Sequence, residues 1–339
     1  MSFDLKPLPQ FLAEVEARKD PTWLLRDFML RESVTLMSGQ PKLTEKTWLA
    51  LLMGLAASSG KQMGAFQAVE PVPVAFFEGE GASAPFAQRF RALQKGYGLE
   101  DSQFGPFFVQ YMSGLLLDNP SQVREIVTRC KDGGIKLAVL DTFAKHNAIR
   151  NENDAAEVSR ALRGLDQFRM AGISTLMLTH TRKASKDDDG TEDIDQDLRG
   201  STALSGFLDF HFGLRRASAR QKYTKLTIRA KDAEEKYFRL LWTIEQDETK
   251  RPASARLEMV ETKPGEVDEG ILDGAAAALE PNVAYTKTAL VRLWSAEKED
   301  VEIMIEQLLA DGTLGYKNRK FFLASRPGDE GVGQDETQS

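Results

Sequence analysis

The residues best suited to chemistry fall at places where an apolar run gives way to polar side chains. The first is Ser38-Gly39-Gln40-Pro41-Lys42-Leu43-Thr44-Glu45-Lys46-Thr47, between the apolar run Val34 to Met37 and an apolar segment rich in Ala and Leu. Backbone N–H groups at a helix start, together with one lysine, can neutralise a polyphosphate, and an adjacent Ser or Thr hydroxyl can hold Mg²⁺. Lys46 and Thr47 have the types and placement for those two roles, and Gly39 and Lys42 lie in the stretch that would wrap the phosphates. The segment departs from GxxxxGK[ST] in two respects. Glu45 stands where the pattern has a glycine, and Gly39 lies seven positions before Lys46, where the pattern has six. If Lys46 and Thr47 keep register, the extra residue bulges at Leu43 or Thr44 and a carboxylate sits near the phosphates. If Gly39 to Lys42 keep it, the lysine is displaced. Without a ligand, the segment reads as an ordinary strand-to-helix turn.

Three further run ends carry polar groups. Leu137 to Leu140 ends at Asp141, where a carboxylate can position Mg²⁺ or its water, or serve only as a helix cap. Phe76-Phe77-Glu78-Gly79-Glu80 puts two carboxylates after another apolar run, and either could orient an attacking water or stay a solvated loop charge. Thr179-His180 ends a fourth run with a group able to sense a terminal phosphate or simply to bond within the fold.

These ends need elements to hold them. Apolar runs at 34–37, 72–77, 107–111, 137–140 and 174–178 alternate with helical patterns at 47–57, 85–96, 121–132 and 155–170. Continuous apolar strands separated by helices are what a parallel sheet covered on both faces requires, so the first part of the chain is α/β. From about Phe207 the runs 208–214, 223–229, 237–244 and 256–260 follow one another without helices, as antiparallel hairpins extending that sheet. Lys263 to Asp268, with Pro264 and Gly265, reads as a linker. Helical patterns at 270–279, 286–294 and 300–310 and a hairpin over 314–324, turning at Lys317 and Asn318, give a small C-terminal domain of winged-helix pattern. The expected organisation is an N-terminal segment (1–20), a core domain (21–262), a linker (263–269), the winged-helix-like domain (270–325) and a disordered tail (326–339).

Composition narrows the function. A chain of 339 residues, 42% hydrophobic and 28% charged, has the apolar mass for a core and is neither fibrous nor wholly disordered. Its 44 Lys and Arg against 51 Asp and Glu give a net charge of −7, which disfavours non-specific polyanion binding and confines any nucleic-acid contact to a local patch. One cysteine, Cys130, rules out a disulfide framework or a cysteine-rich zinc site, and three histidines leave little for a histidine-built one. The first fifteen residues lack the basic start and apolar core of a signal peptide, and the most apolar run, Trp48 to Ser58, is about half a membrane span. The expectation is a cytoplasmic protein without a membrane partner.

In order and spacing, these motifs resemble the ATPase core of the RecA-like family, in particular its hexameric-helicase branch that includes the RepA plasmid replicative helicases. The resemblance covers roughly Pro21 to Ile244. It rests on Trp23-Leu24, on the loop running into Lys46-Thr47-Trp48-Leu49-Ala50-Leu51, and on Glu78-Gly79-Glu80 followed by a basic helix with Arg89 and Arg91. Leu140-Asp141-Thr142, Leu178-Thr179-His180-Thr181-Arg182-Lys183 and Arg199-Gly200-Ser201-Thr202-Ala203-Leu204 complete it. It implies a RecA-like parallel sheet core with an antiparallel extension, ATP and Mg²⁺ as ligands, Lys46 and Thr47 on phosphate and Mg²⁺, Glu80 polarising water, Asp141 as the Walker B acid and His180 as the sensor. Family members assemble as rings with ATP between subunits, implying a homo-oligomer, ring or filament, and a cation supplied in trans.

Charge bears on the rest. Seven acids lie between Asp187 and Asp197, where RecA-like proteins carry a DNA-contacting loop, and such a run repels phosphate. Arg215, Arg216, Arg220, Lys222, Lys225, Arg229 and Lys231 form a basic stretch from which Arg215, Arg216, Arg229 and Lys231 are candidates for the trans cation or a DNA contact; it also reads as a charged hairpin face. The third C-terminal helix and its approach hold Glu297, Glu299, Asp300, Glu302, Glu306 and Asp311 against Lys298, which fits a protein partner better than a major groove, although Lys317, Arg319 and Lys320 could touch a backbone. The sequence thus leads to an oligomeric ATPase of DNA metabolism, or to a scaffold on the same fold that no longer turns over ATP and acts through protein partners.

Overall fold

The computed structural model describes residues 6–17, 23–112, 114–149, 155–181, 194, 202–216, 222–231, 233–262, 269–294, 296, 298–310 and 312–324. The chain divides into two compact units, Met1–Arg215 with Tyr223–Val260 and Arg216–Lys222 with Glu261–Ser339.

The first unit begins with helix α1 (Leu8–Glu16) and a small hairpin of β1 (Trp23–Leu25) and β2 (Met29–Leu30). Next come β3 (Val34–Gly39), α2 (Lys46–Ser59), β4 (Val74–Glu78), α3 (Ser83–Gly96), β5 (Phe107–Tyr111), α4 (Pro120–Asp132), β6 (Leu137–Asp141), α5 (Ala155–Met170) and β7 (Ser174–His180). After α6 (Thr202–Phe207), strands β8 (Phe210–Arg215), β9 (Thr224–Ala230), β10 (Lys236–Gln246) and β11 (Pro252–Thr262) follow one another directly. They form a nine-stranded sheet in the order β11-β10-β9-β8-β3-β7-β6-β4-β5. The strands from β8 through β5 pair in parallel, and β9 and β10 add antiparallel. This is the parallel core with an antiparallel extension that the alternation of runs predicts.

The apolar character of the strands explains this order. Strands β3, β4 and β6 are buried along their whole length, as only central strands covered on both faces can be. One face packs on α2 and α3 through Leu49, Leu52, Phe76, Phe86 and Leu93, the other on α4 and α5 through Ala75, Phe77, Val123, Leu162 and Phe168. Helix α2 is apolar almost all round, with 12 of its 14 residues buried, so it is the central helix rather than a surface one. Helix α1 and the β1–β2 hairpin are elements that sequence periodicity misses, because strands of two or three residues carry no period and the apolar residues Leu8, Phe11 and Leu12 of α1 stay exposed.

Pairing register matters most for the site. Gly39 on β3 lies opposite His180 on β7, and Glu78 on β4 lies opposite Asp141 on β6. Parallel strands present their carboxyl ends on one side of the sheet, so these four residues come level there.

The second unit holds α7 (Glu269–Ala277), α8 (Lys287–Trp294), α9 (Lys298–Ala310) and a hairpin of β12 (Leu314–Lys317) and β13 (Lys320–Leu323). Leu279, Leu290, Val301, Met304, Ile305, Leu308 and Leu314 make its own core. The hairpin turns at Asn318 and Arg319, both at positive φ (54° and 60°), one residue later than the sequence suggests; a two-residue turn of this kind matches strand twist when both central residues are left-handed. Among the described residues no helix is long and apolar enough to cross a membrane.

Candidate functional site

The loop between β3 and α2 is set by three backbone requirements. A Cβ on Gly39 would lie 2.5 Å from Thr44 Oγ1 and 3.1 Å from the Leu214 carbonyl, so only glycine fits where the strand leaves the sheet. Lys42 (φ 60°) and Glu45 (φ 50°) adopt the left-handed conformation that a P-loop usually gives to glycine. Thr44 Oγ1 donates to the Gln40 carbonyl at 3.0 Å, tying the loop across its width.

Lys46 is the first residue of α2, and its ammonium donates to the carbonyls of Gly39 (2.6 Å) and Gln40 (3.1 Å). The loop thus closes on its own lysine. Burial pushes that amine down to about 8, against the pull of Asp141, Glu80 and Glu45, which favour its charged form. The Glu45 carboxylate accepts from Thr224 Oγ1 on β9 at 3.0 Å.

Thr47 Oγ1 donates to Asp141 Oδ2 at 2.8 Å. Asp141 is buried at the end of β6, and burial, reinforced by the neighbouring charges of Glu78 and Glu80, pushes its carboxyl up to about 7. The two carboxylates after β4 part company. Glu78 turns inward, accepting the backbone N–H groups of Glu80 (2.8 Å) and Gly81 (2.7 Å), and so shapes the turn. Glu80 accepts from Thr142 Oγ1 at 2.8 Å and lies 3.4 Å from His180 Nε2. The His180 bond is the main reason its carboxyl sits below the usual range.

These side chains line one pocket of about 470 Å³, with Gln40, Lys42, Glu45, Lys46, Thr47, Glu78, Glu80, Arg89, Asp141 and His180 in its wall. Two buried atoms facing it, Gln40 Oε1 and His180 Nδ1, have no hydrogen-bond partner. Buried polar atoms are ordinarily paired, so these orphans fit a polar ligand. Thr47 and Asp141 are hard oxygen donors, and among the described residues no group of three or more His, Cys, Asp or Glu is set to cage a metal. That donor set fits Mg²⁺, which is held by one or two protein oxygens with phosphate and water completing its shell.

The structure therefore brings Lys42, Lys46, Thr47, Glu80, Asp141 and His180 to one pocket, with Gly39 beneath them. It does not bring Arg215, Arg216, Arg229 or Lys231 there. Arg215 ends β8 opposite Lys225, Arg229 is ion-paired with Glu235 at 2.6 Å, and Lys231 follows β9, its N–H bonded to the Asp209 carbonyl at 3.0 Å. Arg216 and Lys222 belong to the second unit. Asp187 to Asp197 lies outside the described residues save Ile194, as do Arg182, Lys183, Arg220 and Arg199 to Ser201. Residues that no motif flags also shape the site. Ser38 Oγ meets His211 Nε2 at 2.8 Å inside the sheet, and His146, buried, bonds the Thr142 carbonyl at 2.8 Å. A polar residue in an otherwise apolar strand is the signal for both Ser38 and His211.

Fold and site together define a RecA-like P-loop ATPase core, of the replicative-helicase type that the motifs suggest. The AAA domain family model matches residues 5–186, over half of the chain, and the chain belongs to that family. Among solved structures it is similar to a helicase ATPase domain, at 13% identity over 69% of this chain and 93% of that one, with a TM-score of 0.50. It is more distantly similar to a DnaB-like replicative helicase described with its interactions with primase (13% identity, 62% of this chain and 55% of that one, TM-score 0.47) and to the RadB recombinase (19%, 62% and 87%, 0.40). No curated protein matches its sequence significantly.

Proposed function

We propose that this chain binds ATP with Mg²⁺ in the pocket at the carboxyl ends of β3, β4, β6 and β7, and hydrolyses it as an oligomer acting in DNA metabolism. One observation carries this reading: Lys46, Thr47, Glu80, Asp141 and His180 come from four strand ends and meet in a single pocket, linked by Thr47–Asp141 and Glu80–His180 contacts. Lys46 would leave the Gly39 and Gln40 carbonyls for the β- and γ-phosphates, regaining full charge as it does. Thr47 and Asp141 would hold Mg²⁺, which neutralises developing charge on the phosphates. Glu80, held by Thr142 and His180, is placed to orient the attacking water, and His180 to report the γ-phosphate to the sheet.

The oligomer would place a neighbour's cation at this pocket, with Arg215, Arg216, Arg229 and Lys231 as candidates. DNA would be met by the basic stretch around β8 and β9. The C-terminal unit, read as a winged helix, serves better as a protein-binding module. Its third helix is acidic, with Glu302 paired to Lys287, while Lys317, Arg319 and Lys320 on the hairpin are exposed.

A second reading, a scaffold that binds nucleotide without turning it over, is favoured by one feature. Lys42 and Glu45 put side chains at left-handed positions where a phosphate's close approach favours glycine. An ATPase assay with and without single-stranded DNA separates the two. Turnover abolished by both Lys46→Ala and Asp141→Ala supports the motor; nucleotide-dependent thermal stabilisation without turnover supports the scaffold; neither turnover nor stabilisation refutes both.

A further inference from the structure

Helix α3 carries two arginines with different fates. Phe86, Phe90 and Leu93 form its core-facing stripe. At about 100° per residue, Arg91 projects well away from that stripe, whereas Arg89 lies on its flank. Arg91 is tied on the surface to Asp101 and to Gln94. Arg89 instead lines the pocket that holds Lys46, Thr47, Glu80, Asp141 and His180, and among the described residues no hydrogen bond or ion pair holds it.

That freedom is informative because carboxylates surround it. The pocket wall contains Glu45, Glu78, Glu80 and Asp141, and each already has a partner: Thr224, the backbone N–H groups of Glu80 and Gly81, Thr142 with His180, and Thr47. A half-buried guanidinium beside carboxylates committed elsewhere is a vacant anion receptor, and its planar fork suits phosphate oxygens. Its helix follows the Glu78–Gly81 turn, so it stands on the Glu80 side of the pocket. The loop lysine, by contrast, rises from the base.

We propose that Arg89 is a γ-phosphate ligand supplied by the same subunit, making this pocket discriminate a nucleoside triphosphate from a diphosphate before any neighbour contributes a cation. The inference rests on the P-loop reading above. It divides the labour within the pocket: Lys46 and the loop hold the part common to both nucleotides, and Arg89 holds only the part that hydrolysis removes.

The test is titration of the full chain with Mg²⁺-bound AMP-PNP and with Mg²⁺-bound ADP by calorimetry. Arg89→Ala should weaken AMP-PNP by about tenfold or more, the worth of one charge-assisted contact, and leave ADP within about twofold. Arg89→Lys should recover part of the loss, since it keeps the charge but not the fork. The effect should persist at dilutions where subunits are separate, which a cation donated in trans cannot do. Equal weakening of both nucleotides, no weakening of either, or loss of the effect on dilution would overturn the assignment while leaving the P-loop reading intact. If the wild-type chain binds neither nucleotide, and Lys46→Ala accordingly changes nothing, the P-loop reading falls and this inference with it.

Discussion

Replacing Glu45 by glutamine isolates the charge that most separates this loop from an ordinary P-loop. The carboxylate lines the pocket and is held by Thr224 Oγ1 at 3.0 Å, a contact that the amide oxygen of glutamine can keep, and the backbone stays left-handed in both forms. A unit charge about 8 Å from a phosphate charge repels it by about 0.5 kcal/mol in bulk water and about 2 kcal/mol at an effective dielectric near 20. Partial neutralisation by Mg²⁺ and salt leaves about 1 kcal/mol, so Glu45→Gln should tighten ATP about fivefold at neutral pH. A counter-effect has the opposite sign. Glu45 favours the charged form of Lys46, so its removal lowers an amine already pushed down to about 8 and makes the gain fade as pH rises above neutrality. Glu45→Gly separates backbone from charge. It relieves about 1 kcal/mol of left-handed strain, offset by glycine's unfolded-state entropy and the lost Thr224 bond, each of about the same size. Its melting temperature should therefore stay within about 4 °C of wild type while its affinity rises like that of the glutamine variant. Fluorescent-nucleotide titration across salt and pH, with melting curves of all three proteins, reads both effects. An affinity gain that does not shrink with salt, or no gain at low salt, would refute the reasoning.

Two other outcomes follow from burial. Asp141 titrates near 3.8 when exposed and at about 7 in the fold, so between those values the folded chain keeps a proton that the unfolded chain has lost, and native stability falls as pH rises through the window. Asn cannot lose that proton; the thermal advantage of Asp141→Asn should be absent below about pH 4, grow to about pH 7 and stay level above it, and an advantage that is flat from pH 4 to 8 would contradict the buried carboxylate. Cys130 is buried on α4, and burial pushes its thiol up to about 11. Alkylation by iodoacetamide at pH 7.5 should therefore be at least about a hundredfold slower in the native protein than in urea, and comparable rates would place the thiol at the surface.

The parallel core was legible because burial on both faces leaves a direct mark: unbroken apolar runs at β3, β4, β6 and β7, each ended by the polar residue that the site uses. Pairing order and register leave no such mark in one sequence. Nothing local says that Gly39 stands opposite His180 or Glu78 opposite Asp141, since those pairings arise from tertiary packing. The division between Glu78 and Glu80 was equally hidden. Two residues apart on an ideal strand, they should face the same way, but the chain turns after Glu78, and the first carboxylate is consumed by the N–H groups of that turn. Arg89 belongs to the same class, because its meaning comes from the flank of α3 that it occupies and not from its neighbours in sequence.

The loop shows how a departure from a motif can coexist with its geometry. A residue more than the pattern allows has to be absorbed without moving Lys46 from the helix start, and a single left-handed residue reverses the chain sharply at the least cost in length. The loop contains two, Lys42 and Glu45, bracketing the segment braced by the Thr44–Gln40 bond. The second lies immediately before α2, so the helix still begins on Lys46 and Thr47 still reaches Asp141. The extra length is therefore spent in the span between Gly39 and Glu45, and its cost falls on the phosphates' approach, through two side chains where glycine leaves none. Placement of the metal-binding pair is spared. Function in this loop is limited by charge and clearance, which substitution at Glu45 alone can restore, and not by misregistered chemistry, which it could not.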